Sequence, residues 1–315
     1  MDEAFRWIDN AGRTTQPSIL IFVQWFGAWP GWMRCFLESC RANASVDWLL
    51  IGDAPQPDDL PANVSLKRIS FDDYRALISK KLGIALKWID VYKLCDLKPA
   101  LAAIHDGEVA GYDYWGYCDL DVIFGDIRHF YTPEALAQDL ITTHAHVVSG
   151  HFTLLRNTPR MVGAFRKIPF WKRLLAVPKH KSFDEQIFSR LFMPFPLKLK
   201  WRRLYTPFLG GALCVERHST NIPPLAWIDG SANWPQKWFW NHGRLTTDRS
   251  GAQEFLYLHF SHWQSNRWTQ EAVAPWSKLD RLDELPPGRL ERFTISAQGF
   301  TPLDEAELAR DQAAA

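Results

Sequence analysis

The sequence predicts an α/β fold with a mixed, mainly parallel sheet flanked by helices, followed by an irregular C-terminal part rich in Trp and Pro. Residues 18–23 form a continuous apolar run, which is typical of a parallel strand buried on both faces. Apolar residues at helical spacing follow over residues 32–40, and a second strand-like run covers residues 47–53. This strand–helix–strand order implies a right-handed crossover and therefore a parallel sheet.

Composition narrows the class of protein. The chain has 315 residues, of which 47% are hydrophobic, and this suffices for one large α/β domain with a sizeable core. The formal net charge of +1 does not suggest a nucleic-acid partner. Five Cys without a C-x-x-C pair argue against a disulfide framework or a zinc site and favour a reducing compartment.

We expect a cytoplasmic protein, because the N-terminus is not basic and no apolar run approaches the ~20 residues of a membrane span. An association with the inner face of a membrane stays open. The basic, helical stretch over residues 159–181 could face a membrane or an anionic acceptor, although such runs are more often solvated faces.

The first two strands end in candidate ligand-binding residues. Ligands of parallel sheets bind outside the carboxyl ends of the strands. Four residues follow the first strand there, namely Gln24, Trp25, Phe26 and Gly27, and Asp53 follows the second. Asp53 could equally be a turn residue ahead of Pro55.

The next segment supplies one more strand, a helix and a charged cluster. A short strand is predicted over residues 64–69, and a helix begins at Asp72 or Asp73 and ends at Leu82, with Gly83 as its stop. A second helix begins near Pro99 and runs to about residue 105. Three charged residues gather ahead of it: Lys93, Asp96 and Lys98. They could neutralise phosphates or form an ordinary surface ion-pair cluster.

Two carboxylates then follow an aromatic strand-like run over residues 114–118. Asp119 and Asp121 are two positions apart, so both leave the strand end on one side. Like charges held that close repel, and a divalent cation that prefers oxygen ligands would relieve the repulsion. The alternative is a pair of solvated turn acids. Apolar residues on both sides favour the cation, because turn acids rarely lie between apolar runs.

The second half of the chain carries further candidates. We predict a helix over 131–141, a strand or strand pair over 146–157 with a turn at Gly150 and His151, and a hairpin turn at 240–243. A helix opens at Ser182 with Glu185 at the capping-box position. A strand over 254–260 ends near His259, which could be a third metal ligand or an ordinary satisfied histidine.

Some of the 16 Trp could stack on sugar rings rather than fill the core. Those that lie beside polar residues are Trp25, Trp115, Trp238, Trp240, Trp263 and Trp268.

Taken in order, these segments resemble a glycosyltransferase of the GT-A fold, with its Rossmann-like sheet. The resemblance covers residues 18–268 and depends on the strand–helix–strand start and the segments 92–99, 116–126, 149–157, 183–186 and 255–260. The chain looks like a bacterial family of surface-polysaccharide glycosyltransferases and is more distantly similar to glycogenin-like and lipopolysaccharide galactosyl- and glucosyltransferases. The resemblance implies one domain over residues 1–285, with a nucleotide-binding half at 18–126 and an acceptor half at 127–268. Residues 286–315 would form a C-terminal tail.

The resemblance also implies roles for single residues. Asp119, Asp121 and His259 would hold Mn²⁺ or Mg²⁺ on the diphosphate of a nucleotide sugar, with a UDP-sugar favoured. The remaining donor contacts would come from Gln24–Gly27, Asp53, Lys93, Asp96, Lys98, Gly150, His151, Gln186 and Arg267. Asp184 or Glu185 would be the catalytic carboxylate, acting on a saccharide or glycolipid hydroxyl, and likeness to retaining relatives favours retention.

Two other functions use the same residues. A metal-dependent nucleotidyltransferase or phosphodiesterase could employ the two aspartates, and a non-catalytic carbohydrate-binding protein could employ the tryptophans.

Overall fold

The computed structural model describes residues 16–144, 147–192, 212–214, 218–219, 226–261, 285, 290–304 and 306. The first half of the chain alternates strands and helices in the order β1 (Ile19–Gln24), α1 (Met33–Ala42), β2 (Asp47–Gly52), β3 (Val64–Arg68), α2 (Phe71–Leu82), a 3₁₀ helix (Val91–Ala100), α3 (Leu101–Ile104), β4 (Tyr114–Cys118) and β5 (Val122–Phe124).

The second half has shorter elements. They are α4 (Ile127–Phe130), β6 (Leu140–Thr142), β7 (Phe152–Arg156), α5 (Pro159–Val162), α6 (Trp171–Ala176), β8 (Ala212–Cys214), β9 (Lys237–Asn241), β10 (Arg244–Thr247), β11 (Tyr257–His259), β12 (Arg292–Ser296) and β13 (Gly299–Pro302). Single 3₁₀ turns cover Ala135–Ala137, Ala164–Lys167 and Phe188–Leu191, and a π-helical turn covers Phe183–Ile187.

Seven strands form the main sheet in the order β3-β2-β1-β4-β7-β6-β8. Strands β3, β2, β1 and β4 are parallel to one another, β7 is antiparallel to both its neighbours, and β8 is parallel to β6. The predicted mixed, mainly parallel sheet flanked by helices is therefore confirmed. Because β1 lies between β2 and β4, the ends of β1 and β4 meet at one edge, as parallel strands require.

The core occupies both faces of this sheet. Alternate residues of β1 point to opposite sides, so Ile21 packs with Phe36 of α1 on one face and Phe22 packs near Tyr74 of α2 on the other. All four side chains are fully buried. Ser70 caps the N-terminus of helix α2, because its hydroxyl accepts a hydrogen bond from the Asp73 amide. Gly83 caps the C-terminus in the left-handed conformation that glycine allows.

Two small sheets pack beside the main one. Strands β5 and β11 form an antiparallel pair in which His259 lies opposite Val122. The other sheet has the order β10-β9-β12-β13, and the predicted turn at 240–243 connects β9 to β10 with positive φ at His242 and Gly243. The predicted boundary at residue 285 falls inside this sheet, since β9 and β10 precede it and β12 and β13 follow it.

Three local predictions were wrong. The helix expected over 131–141 is only the 3₁₀ turn at Ala135–Ala137, because residues 140–142 pair with β7 and β8 as strand β6. The helix expected to begin at Asp72 or Asp73 begins at Phe71 with Ser70 as its cap. The basic stretch is helical as predicted, in two short helices and a 3₁₀ turn. Ser182 is in the left-handed conformation, and its side chain caps nothing. Among the described residues, no helix is both long and apolar enough to cross a membrane.

Candidate active site

A cavity of about 330 Å³ opens where β1 and β4 end. One wall consists of Gln24, Trp25 and Phe26, which directly follow β1. The opposite wall consists of Asp119 and Asp121, which follow β4, and Lys98 also lines the cavity. The parallel pairing of β1 and β4 thus brings together residues that are almost a hundred positions apart in the sequence.

Backbone hydrogen bonds fix the positions of the two aspartates. The Asp119 amide donates to the His151 carbonyl at 3.0 Å, and the Phe260 amide donates to the Asp121 carbonyl at 3.2 Å. The second bond continues the β5–β11 pairing, which carries His259 to the same place. Strand pairing, and not sequence proximity, therefore assembles the three side chains.

The side chains of Asp119, Asp121 and His259 converge. One oxygen or nitrogen from each lies within 4.8 Å of the others, and His259 Nε2 is 3.5 Å from Asp121 Oδ1. Each of the three is half-buried. Burial disfavours the charge of Asp121, but the adjacent imidazole of His259 outweighs burial and lowers the pKa of that carboxyl. Two carboxylates and one imidazole, open to a cavity on one side, are a donor set that fits Mn²⁺ or Mg²⁺.

Lys98 lies directly behind Asp119. Its ammonium forms an ion pair with the Asp119 carboxylate and donates to the Gly150 carbonyl at 2.8 Å. Burial works against the charge, yet the interactions with its neighbours, of which that with the Asp119 carboxylate is the largest, hold the pKa of Lys98 well above its ordinary value. A permanent positive charge therefore borders the cavity beside the aspartates.

Gly150 separates the two candidate catalytic carboxylates from Lys98. A methyl group at this position would lie 2.8 Å from both Asp184 Oδ2 and Glu185 Oε1, and the Gly150 amide donates to Glu185 Oε1 at 3.3 Å. Glycine is needed here because the side chains approach the backbone so closely. The sequence had suggested close approach of a ligand, whereas the structure places these two acids against the glycine.

The two acids differ in environment. Asp184 is only 3% exposed, and its Oδ1 accepts no hydrogen bond from the described residues. Burial, reinforced by neighbouring carboxylates, raises the pKa of Asp184 well above its ordinary value. Glu185 is half-buried. Burial therefore makes the Asp184 carboxyl harder to ionise, and this environment distinguishes it from the half-buried Glu185.

A protein-family model described as a family of unknown function, DUF6625, matches residues 21–285 and so includes every residue of this site. The chain belongs to the DUF6625 family. No curated protein sequence matches this DUF6625 chain significantly.

Some solved structures match at low similarity. Mouse xyloside xylosyltransferase 1 in its apo form is 9% identical, with a TM-score of 0.34 over 51% of this chain and 72% of that one. The glycosyltransferase GlyE of Streptococcus pneumoniae TIGR4 is 14% identical, with a TM-score of 0.26 over 46% of this chain and 35% of that one. Its apo form is 13% identical, with a TM-score of 0.31 over 64% of this chain and 45% of that one. This chain covers less than half of either GlyE chain.

Lys93 and Asp96 lie away from the cavity of this DUF6625 chain. Both are fully buried and form an ion pair, and Lys93 Nζ also donates to the Leu174 and Lys179 carbonyls. The Asp96 carboxylate accepts hydrogen bonds from the backbone amides of Lys181 and Phe183, and His180 Nε2 is 3.2 Å from it. Lys93 and the two amides occupy three of the four lone-pair positions of Asp96, so this carboxylate is engaged by the protein itself, although it clusters with His180 and Asp184.

Other predicted site residues also lie outside the cavity. Asp53 Oδ1 accepts a hydrogen bond from the Gly27 amide at 2.7 Å, so it braces the loop after β1. Gln186 is exposed. Arg267, Trp263 and Trp268 lie outside the described residues.

The tryptophans divide into two groups. Trp115, Trp238 and Trp240 are at most 2% exposed and belong to the core. Trp25 is half-buried and lines the cavity.

Two residues behind the metal-ligand candidates, Tyr257 and Thr143, were not predicted from the sequence. The His151 ring stacks on the His259 ring, and His151 Nε2 is 2.6 Å from the Tyr257 hydroxyl, which in turn donates to Thr143 Oγ1. Tyr257 precedes His259 by two positions on β11 and therefore points to the same side. That spacing was a signal in the sequence that could have identified it.

Proposed function

We propose that the chain is a metal-dependent glycosyltransferase that moves a sugar from a nucleoside-diphosphate sugar to a hydroxyl of a saccharide or glycolipid acceptor, in bacterial polysaccharide or glycoconjugate synthesis. The observation that carries this proposal is the convergence of Asp119, Asp121 and His259 on one another, because the two aspartates of this group line the same cavity as Gln24–Phe26. A diphosphate held by a cation at one wall would place its nucleoside against the other.

Asp119, Asp121 and His259 would hold Mn²⁺ or Mg²⁺ by two carboxylate oxygens and one imidazole nitrogen. When bound, the cation supplies Lewis-acid stabilisation of the negative charge that develops on the leaving diphosphate. Three ligands from the protein leave coordination positions for phosphate oxygens. Lys98 adds a fixed positive charge from the protein side and holds Asp119 in position.

The wall after β1 suits a nucleoside base. Phe26 contacts Phe71 and Tyr74, and the Gln24 side-chain amide donates to the Tyr74 hydroxyl at 2.7 Å. The side-chain oxygen of Gln24, Oε1, is buried and accepts no hydrogen bond from the described residues. A buried acceptor without a donor is unfavourable, so a base that presents an N–H group, as uracil does, would satisfy it. The other common nucleobases also carry N–H groups, so this contact supports a nucleotide donor in general, and the preference for a UDP-sugar comes from the family resemblance.

Glu185 is the better candidate for the reacting carboxylate. It is partly accessible, whereas Asp184 is buried and burial raises the pKa of its carboxyl well above the ordinary value. An ionised carboxylate is required both to deprotonate an acceptor hydroxyl, which gives inversion, and to stabilise an oxocarbenium-like centre, which accompanies retention. Asp184 would instead offer a neutral O–H that can donate a hydrogen bond.

Turnover of sugar nucleotides tests the proposal. The purified chain is incubated with a panel of UDP-, GDP-, CMP- and dTDP-sugars and simple glycoside acceptors, with Mn²⁺ or with EDTA, and the released nucleotide is quantified. We expect turnover of one donor with Mn²⁺ only, and loss of at least about 100-fold in Asp121→Asn. Asp126→Asn is the matched control, since Asn can still cap α4 there.

Failure of every sugar nucleotide in the presence of metal, or equal turnover in EDTA, would contradict the proposal. Release of pyrophosphate from a nucleoside triphosphate would identify a nucleotidyltransferase instead. The burial of Trp115, Trp238 and Trp240 gives a carbohydrate-binding role no support from those rings.

A further inference from the structure

A surface outside the active-site cavity is strongly basic. Between residues 157 and 183 the sequence contains no Asp or Glu. The exposed cations of this stretch in and around α6 are Arg166, Lys167, Lys172, Arg173, Lys179 and Lys181. Within the described part of the chain, none of the six forms an ion pair with a carboxylate. The positive charge is therefore not neutralised by any carboxylate of the described residues.

Large apolar side chains are exposed on the same part of the molecule. Phe170 and Ile89 are each 80% exposed, and Tyr92 is 52% exposed. Phe170 also has φ 60°, in the left-handed region that residues other than glycine rarely adopt. A strained backbone that turns an aromatic ring towards solvent gains no packing within the chain, which points to a partner outside it.

The segments that carry these residues pack against each other. The Trp88 indole donates to the Leu175 carbonyl at 3.0 Å, and Lys172 Nζ donates to the Gly83 carbonyl at 3.4 Å. The rings of Tyr92 and His180 lie 4.8 Å apart. Residues 83–93 and 166–181 therefore form one face, which we call the basic–apolar face. Tyr92 also lines the active-site cavity, so this face borders its mouth.

We propose that the basic–apolar face docks on a membrane surface that contains anionic lipids. Lysine and arginine side chains are attracted by the negative surface potential of such a membrane, and exposed Phe and Ile side chains enter the boundary between headgroups and acyl chains. A nucleic acid or another dissolved polyanion would engage the charges but leave the apolar side chains in water. The proposal does not depend on the reaction that the cavity catalyses.

Vesicle co-sedimentation of the full chain tests the proposal. Vesicles of phosphatidylcholine alone are compared with vesicles that contain about 30% phosphatidylglycerol, an anionic lipid. We expect binding to the anionic vesicles only, and weakening as salt is raised. Lys167→Gln and Arg173→Gln should each lower the partition coefficient about fivefold. Ile89→Ser with Phe170→Asn should lower it further, and Asn suits the left-handed position.

Matched controls lie on the opposite part of the chain. Ile228→Ser removes an exposed apolar side chain that is 42% exposed, and Lys237→Gln with Arg292→Gln removes two positive charges from the β9–β12 pair. These should leave vesicle binding unchanged, and circular dichroism should show an unchanged melting temperature for all variants. The proposal fails if anionic vesicles are not bound, if the controls weaken binding as much as the face variants, or if only a soluble polyanion such as heparin is bound.

Discussion

The ring of His151 stacks on the ring of His259, with centroids 4.1 Å apart and planes 17° apart. The backbone carbonyl of His151 also accepts the hydrogen bond from the Asp119 amide. His151, the residue directly before β7, thus contacts two of the three candidate metal ligands. We interpret His151 as a positioning residue. These contacts do not support the sequence-based hypothesis that His151 contacts the sugar.

Replacing His151 should weaken metal binding more than it destabilises the fold. His151→Ala removes the stacking partner of His259 and the hydrogen bond to the Tyr257 hydroxyl, so the His259 ring loses its fixed orientation. We expect an increase of about tenfold in the dissociation constant for Mn²⁺, measured by calorimetry. Tyr257→Phe should have a smaller effect in the same direction. His129→Ala, at an exposed position on α4, is the control, and an equal loss in that variant would refute the positioning role.

Gly150→Ala should impair turnover more than stability. The added methyl group would overlap Asp184 Oδ2 and Glu185 Oε1, and Asp184 is too deeply buried to move away, whereas Glu185 can rotate outward. We expect kcat to fall at least about tenfold with a modest change in melting temperature. Gly107→Ala is the control, because nothing lies within 4 Å of a methyl group there. Unchanged turnover in Gly150→Ala would show that Glu185 is not positioned for the reaction.

The Lys93–Asp96 pair should determine stability and not donor affinity. Both side chains are 0% exposed, so Lys93→Met leaves a buried carboxylate without its cation, at a cost of about 3–5 kcal/mol in the free energy of unfolding. Urea denaturation measures this loss. The KM for the donor should remain unchanged in the folded variant. A raised KM without a loss of stability would restore the substrate-binding role predicted from the sequence.

Acid should destabilise the protein partly through His105. Its ring is buried beside the Tyr74 hydroxyl and near Glu108, Lys67 and Lys81, and burial lowers the pKa of His105 to about 4. The unfolded chain binds this proton near pH 6.5 and the folded chain only near pH 4, so stability falls as the pH drops through that window.

The loss in the free energy of unfolding that His105 causes reaches about 3 kcal/mol at the acid end of the window. Chemical denaturation at pH 7, 6, 5 and 4.5 measures the slope. His105→Gln should be less stable than the wild type at pH 7, and the difference between the two should shrink towards pH 4.5. A constant difference across the series would contradict the assignment.

The regular parts of the fold follow from the sequence because local pattern and tertiary structure agree there. The apolar run of β1 and the spacing in α1 predict the elements that the structure contains, and Gly83 ends α2 as predicted. Asp119 and Asp121 were recognisable as a pair because their spacing in a strand fixes their direction.

Long-range contacts explain what local reasoning missed. Residues 140–142 are a strand because β7 and β8 lie on either side, although their sequence neighbourhood favours a helix. Asp96, some 85 positions earlier in the chain, accepts the amides of Lys181 and Phe183. Ser182 between them has the left-handed conformation and not the extended one typical of an N-cap, so its side chain caps nothing. The stacking of His151 on His259 depends on β5–β11 pairing and on the course of the chain before β7, neither of which a single sequence displays.

Binding of Mn²⁺, followed by electron paramagnetic resonance of the free ion, tests the central claim most directly. The wild type should bind one Mn²⁺ per chain, more tightly when UDP is added. Asp119→Asn, Asp121→Asn and His259→Gln should each abolish that binding, while Asp126→Asn should retain it. If the wild type binds no Mn²⁺ with or without UDP, or if the three variants bind it as the wild type does, these side chains do not form a metal site and the account is contradicted.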